Sequence, residues 1–172
     1  MALNGYNSGY ANNGRNNGNN YGNNYGQQRQ QNGQKTQPYD SKPMKIEAEE
    51  LPSDFVDMAE KVIQNITDES KITKKSSIST SKIRNLLSIV SDIYNVESIR
   101  KEKTMLDESV LNMTMFRIRV IYEAGREPAT KSFVEKSKIL NYAKSIGNDR
   151  QKLINFSHYM EALVAYHRYY LG

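Results

Sequence analysis

Cysteine is absent from the 172 residues. Thiol catalysis, cysteine-based zinc sites and a disulfide scaffold are thereby excluded, and a reducing compartment fits. No apolar run is long enough to span a bilayer, and the N-terminal stretch lacks the basic and hydrophobic regions of a signal peptide, so a cytoplasmic protein is expected. Histidine is nearly absent too. His158 and His167 stand nine residues apart on one expected helix, which turns them about 180° away from each other, so they cannot share a metal there. Glu123 and Glu161 have no neighbouring acid at metal-binding spacing. The only internal glycines beyond the N-terminal third, Gly125 and Gly147, serve as helix stops rather than a phosphate-binding loop. No enzyme, cofactor or metal site is expected from these residues.

What is present divides the chain in two. Residues 1–34 hold 11 Asn, 7 Gly, 5 Gln and 4 Tyr, with the direct repeat NNYGNNYG over 19–26 and only Arg15 and Arg29 charged. Such a segment cannot bury enough apolar surface to offset its ordering entropy, and a disordered tail is expected over 1–45, with a linker over 46–52. The tail reads either as an inert extension or as a prion-like segment whose Tyr and Arg act as stickers for self-association or RNA.

From Ser53 to the C-terminus the periodicity is helical, and an all-α, five-helix compact bundle is expected over 53–172. Helix one opens at Ser53 as cap and carries Phe55, Met58, Ala59, Val62, Ile63 and Ile66. Helix two runs from about Ser79 to Asn95 on Ile83, Leu86, Leu87, Val90 and Tyr94. Helix three runs from about Asp107 to Ala124 on Leu111, Met115, Ile118 and Tyr122, stopping at GREP where Gly125 suits the left-handed position and Pro128 breaks the helix. Thr130 caps helix four, with Phe133, Ile139, Leu140, Ala143 and Ile146 inside and Gly147 at its end. Helix five begins near Asp149 and sets Leu153, Phe156, Met160, Leu163, His167 and Tyr170 on an alternating three-and-four seam, where His167 reads as a hydrogen-bonded core or interface residue.

The charge balance is mildly basic, +5 with a pI near 9.2, compatible with an anionic partner without demanding one. Five cations and no acid lie between Lys71 and Arg84, and Lys82 and Arg84 sit in the first turn of helix two, the positive end of its dipole. A bound phosphate would reconcile them with that position. Otherwise they reach into solvent at a cost of about 0.3–1 kcal/mol, and spacing alone leaves both readings open. Arg84 is in line with Ser88 and Ser91, a face over which a backbone could pass closely. In MFRIRV the two arginines point about 200° apart. Arg119 shares its side with Glu123 and Arg126, whereas Arg117 is flanked by Val110, Met113, Ile121 and Ala124, a setting that an arginine enters only with a partner.

The segments STSKIRNLLSIVSDIYN (79–95), MFRIRVIYEAGRE (115–127) and YMEALVAYHRYYLG (159–172), in this order, resemble the small helical subunit of the type III-A CRISPR effector, the Csm complex. The resemblance covers about residues 53–172 and not the tail. It implies a non-catalytic, all-helical protein, present in several copies stacked against neighbouring small subunits. Its implied partners are the backbone, large and end subunits together with guide RNA and target RNA, whose phosphates it contacts without reading sequence in antiviral defence. Carried to this chain, it implies Arg84, Arg117 and Arg126 as RNA contacts, with Lys82 and Arg119 beside them and Arg168 where the family has a lysine. Three other readings of the residues stay open. They are a protein–protein adaptor with a basic face, a condensate protein driven by the tail, and, for want of any acid, histidine or metal grouping, least of all a hydrolase.

Overall fold

The computed structural model describes residues 43–74 and 76–171, so the expected disorder of residues 1–42 lies outside the described residues. Six helices follow in order: α1 Phe55–Thr73, α2 Thr80–Glu97, α3 Asp107–Arg126, α4 Pro128–Ser137, α5 Ile139–Ser145 and α6 Arg150–Leu171. Among the described residues there is no strand, only an isolated bridge between Thr104 and Asp149. None of these helices is long and apolar enough to cross a membrane.

Helix α6 is the centre of the bundle and packs on both α1 and α2. Its apolar seam is single and regular, so Leu153, Phe156, Met160 and Leu163 are all fully buried as their spacing predicts. His167 closes that seam. Its Nε2 donates to the Ile78 carbonyl at 2.8 Å and its Nδ1 accepts from the Thr80 hydroxyl at 3.1 Å, which ties the end of α6 to the start of α2. Burial pushes the imidazole pKa below its ordinary value, with the bond to Ile78 opposing.

Helix α3 departs from expectation. Leu111, Met115, Ile118 and Tyr122, read as its core stripe, are exposed, and the buried residues are Ser109, Met113, Phe116, Val120 and Ala124. The helix is apolar on two opposite faces, and period alone does not say which one meets the core. One clamp sets its rotation. The fully buried carboxylate of Glu97, at the end of α2, accepts the Leu106 N–H at 2.9 Å and an Arg100 N–H at 2.8 Å. Burial alone would raise the pKa of Glu97, but hydrogen bonds from Ser109, Leu106 and Arg100 outweigh it and hold the carboxylate ionised. Ser109 is thereby drawn inward, and the face carrying Phe116 and Val120 follows it.

The GREP stretch also behaves differently. Gly125 lies inside α3 without the left-handed backbone expected of it, and only Lys74, Lys138 and Gly147 have positive φ among the described residues. The break is made by Glu127, extended at φ −143°, because a residue before proline is forced out of the helical region. Pro128 does not end a helix but starts α4 at its first position, where no N–H is required. Thr130 is therefore not the cap; it stands three residues in and donates its hydroxyl to Glu127 Oε2. Ser53 is likewise displaced as cap by Asp54, whose side chain makes no capping bond, and α1 runs on to Thr73.

The expected fourth helix is two helices, α4 and α5, broken at Lys138 in the left-handed conformation. Two carbonyls at the break find partners. Ser137 O accepts the Tyr159 hydroxyl at 2.8 Å, while Lys138 O takes the N–H groups of Asn141 and Tyr142 at 2.9 and 3.0 Å. Gly147 ends the stretch at φ 57° as its position predicts. Residues 43–52, expected as tail end and linker, are tied to this region: Glu49 N–H bonds Asn141 O, Lys144 Nζ bonds Ile46 O, and Glu49 and Glu50 pair with Lys138 and Lys152.

Candidate nucleic-acid interface

The start of α2 lies where its sequence predicts. Ser79 is the cap, its hydroxyl accepting the Lys82 N–H at 3.3 Å, and Ile78 and Ile83 are buried on either side of it. The two cations of the first turn then part. Lys82 is half-buried and ion-pairs with the Glu127 carboxylate, so an internal anion from the α3–α4 junction already offsets its charge. Hydrogen bonds from Lys82 and Thr130 hold the Glu127 pKa below the ordinary carboxylate range, against the effect of burial. Arg84 is exposed and has no ion pair among the described residues. It begins an exposed polar strip with Ser88 and Asn95, the Ser88 hydroxyl being turned back onto the Asn85 carbonyl at 2.9 Å.

The arginines of α3 are equally unlike one another. Arg119 bonds Glu123 at 2.9 Å, the pair that their four-residue spacing predicts, and its guanidinium lies 5.9 Å from the Tyr122 ring centroid. Arg126 lies 5.3 Å from the same centroid, so Tyr122 gathers two cations by their attraction to its π face. Arg117 is half-buried, and its Nε is buried without a hydrogen-bond partner; the partner that its apolar flanks call for is not found among the described residues. Arg168 is exposed in the last turn of α6, where a cation complements the helix dipole.

Helices α2 and α3 enclose a cleft of about 720 Å³. Lys82 and Arg119 meet at one end with Glu123 and Thr130, Val96 and Leu106 lie at the other, and Ile89, Ile93 and Phe116 lie between. The cleft thus unites two of the six cations from distant parts of the chain, each already paired with a carboxylate. Phosphate binding there must compete with Glu127 and Glu123. Among the described residues Arg84, Arg126 and Arg168 have no salt bridge to break first, and the last-named stands apart on another helix. Lys82's partner, 45 residues away, had no signal in local spacing. Glu97 did have one: it continues the buried stripe Ile83, Leu86, Val90, Ile93, where an acid is out of place unless hydrogen-bonded. Among the described residues no group of three or more His, Cys, Asp or Glu could hold a metal.

Comparison with known proteins adds identity to this geometry. The chain is 39% identical over 118 residues to the CRISPR system Cms protein Csm2 of Streptococcus thermophilus, covering 69% of this chain and 92% of that protein. It is 32% identical over 119 residues to the protein of the same name from Mycobacterium tuberculosis (strain CDC 1551 / Oshkosh), covering 69% and 93%. A relative of that name from Enterococcus italicus matches at 32% over 96 residues, covering 54% and 68%. The family described as Csm2 Type III-A matches residues 49–172, the whole bundle together with the end of the segment preceding α1, and the chain belongs to that family.

Proposed function

We propose that this chain is a non-catalytic, RNA-binding structural subunit of a cytoplasmic type III-A ribonucleoprotein effector. Several copies stack along the complex beside its backbone, large and end subunits, and each contacts guide RNA and target RNA through phosphates without reading bases. The observation that carries this reading is the outer face of α2, where Arg84 projects from a strip of short polar side chains one turn beyond a capped helix start, with no carboxylate paired to it among the described residues. A sugar-phosphate backbone can approach such a strip closely, and a guanidinium there supplies a charge-assisted, base-independent contact. Arg126 and Arg168 extend the same chemistry; Lys82 and Arg119 join only by exchanging their carboxylates for phosphate, and Arg117 by turning its shielded guanidinium outward.

The test is binding of the full chain, within the assembled effector, to guide–target duplexes of unrelated sequence over a range of salt. Equal affinities that fall with salt are expected, because each neutralised phosphate releases counterions. Affinity that depends on sequence, or does not respond to salt, contradicts the reading. The adaptor alternative is favoured by one observation, the exposed apolar face of α3; copurification with protein subunits from which RNA can be removed without loss would decide for it.

A further inference from the structure

One carboxylate at the α3–α4 junction collects the donors that a phosphate oxygen would use. Glu127 Oε2 takes the Lys82 ammonium in an ion pair and the Thr130 hydroxyl at 2.5 Å. Hydrogen bonds from Lys82 and Thr130, and then the charges of Lys82 and Arg126, favour its ionised form against the opposing effect of burial. Charge-assisted bonds of this kind serve a carboxylate and a phosphate alike. The anion belongs to the chain itself. It is carried by the residue that Pro128 forces into extended backbone, at φ −143°, so the helix break that separates α3 from α4 also aims Glu127 at α2.

The pair is open to exchange. The Lys82 and Glu127 side chains are each 39% exposed, and Lys82 and Thr130 both line the cleft between α2 and α3, so an outside anion reaches the ammonium without unfolding the bundle. A half-exposed pair contributes little net stability and is screened by salt. The pair of Glu97 with Arg100 is the contrasting case: that carboxylate is wholly enclosed, beyond the reach of any outside anion.

We infer that Glu127 is a built-in competitor for RNA phosphate, which holds Lys82 in the free chain and must be displaced before RNA gains that contact. The inference rests on the phosphate-contact reading above and adds to it a residue that lowers affinity. Such a competitor penalises every RNA equally, so it changes affinity and salt response without changing sequence preference.

The test is binding of guide–target duplexes by the assembled effector carrying the parent chain, Glu127→Gln, Lys82→Ala or both, over a range of salt, with helical circular dichroism of each free chain. Glutamine keeps the shape of the side chain and an oxygen that accepts from Thr130, so the fold should stand. Glu127→Gln should tighten binding about threefold or more on all sequences and steepen the log–log salt slope by up to about one unit for each copy that gains a phosphate contact. Lys82→Ala alone should leave the slope nearly unchanged, and in the Glu127→Gln background it should remove the whole gain. That difference between backgrounds separates a freed Lys82 from a change in net charge, which would act alike in both. A folded Glu127→Gln chain with unchanged or weaker binding, or an equal effect of Lys82→Ala in both backgrounds, overturns the inference while leaving the RNA reading intact. A parent complex whose binding ignores salt overturns the RNA reading itself, and the inference with it. Should Glu127→Gln not fold, Glu127→Asp retracts the carboxylate from Lys82 by one methylene at constant net charge and suits the helix start of α4; a smaller gain of the same sign is expected, and no gain overturns the inference.

Discussion

The two faces of α3 carry similar apolar content and meet opposite fates. Met113, Phe116, Val120 and Ala124 are buried to 5% exposure or less, whereas Leu111, Met115, Ile118 and Tyr122 are each more than half exposed. The difference does not come from hydrophobicity. It comes from the ends of the helix, where Glu97 holds the Leu106 N–H and draws Ser109 inward, and where Glu127 turns the chain sharply into α4. A periodic stripe thus shows that a face exists, and a polar clamp chooses which face goes inside.

Phe116→Ala should break the inner face outright. The ring is fully buried and packs edge-on against Phe156 at 5.8 Å between centroids, so the substitution should cost about 3–5 kcal/mol in denaturant unfolding. Ile118→Ala on the outer face should stay within about 0.5 kcal/mol, measured on the monomer. Similar costs for the two would mean that the faces are assigned the wrong way round.

Removing the clamp should come next in size. Glu97→Ala deletes charged hydrogen bonds to Arg100 and to the start of α3, each worth about 1.5–3 kcal/mol. Unfolding stability should fall by about that amount, and hydrogen exchange should quicken in the first turn of α3. Loss of stability without faster exchange there would leave the rotation of α3 to some other cause.

The junction of α2 and α6 makes a comparison by pH. Burial holds the folded-state pKa of His167 below its unfolded value, which is near 6.5. Below that pH the unfolded chain takes a proton that the folded chain resists, so stability should fall as pH drops from about 7 to 5. His167→Gln should flatten this slope while lowering stability at pH 7, as followed by chemical denaturation at each pH. An unchanged slope would place the pH dependence elsewhere.

Gly125→Ala is the smallest of these changes and has the opposite sign. Gly125 is helical, without positive φ, and an added Cβ meets nothing within 4 Å. Stabilisation of about 0.4–1 kcal/mol is expected in thermal melts, by the lower entropy of the unfolded chain and better helix propensity. Destabilisation would restore the helix-stop reading of GREP.

The parts of the fold legible in the sequence are those where one local signal stood without a rival. Helix α6 has a single seam, and α2 has a serine cap directly before its stripe. At Lys138 no glycine or proline announces the break; the support comes from Tyr159, 22 residues onward, and is tertiary. Helix α3 had two stripes, and the choice between them was made by Glu97 from another helix. The candidate interface divides in the same way. Arg84 and the Arg119–Glu123 pair follow from spacing along one helix, while the neutralisation of Lys82 by Glu127 joins two ends of different helices and no local pattern encodes it.

Lys82, neutralised by Glu127, and Arg84, exposed two residues on, make the sharpest contrast on α2. The affinity of assembled complexes for guide–target RNA should be measured against salt for the parent and for Arg84→Ala, with the unfolding stability of the free chain measured alongside. Weaker binding on all sequences is expected, with a log–log salt slope shallower by up to about one unit for one lost phosphate contact, and free-chain stability unchanged or slightly raised, because a cation leaves the positive end of a helix dipole. Binding and salt slope left intact, with stability lowered, would make Arg84 a structural residue and contradict the phosphate-contact reading of α2.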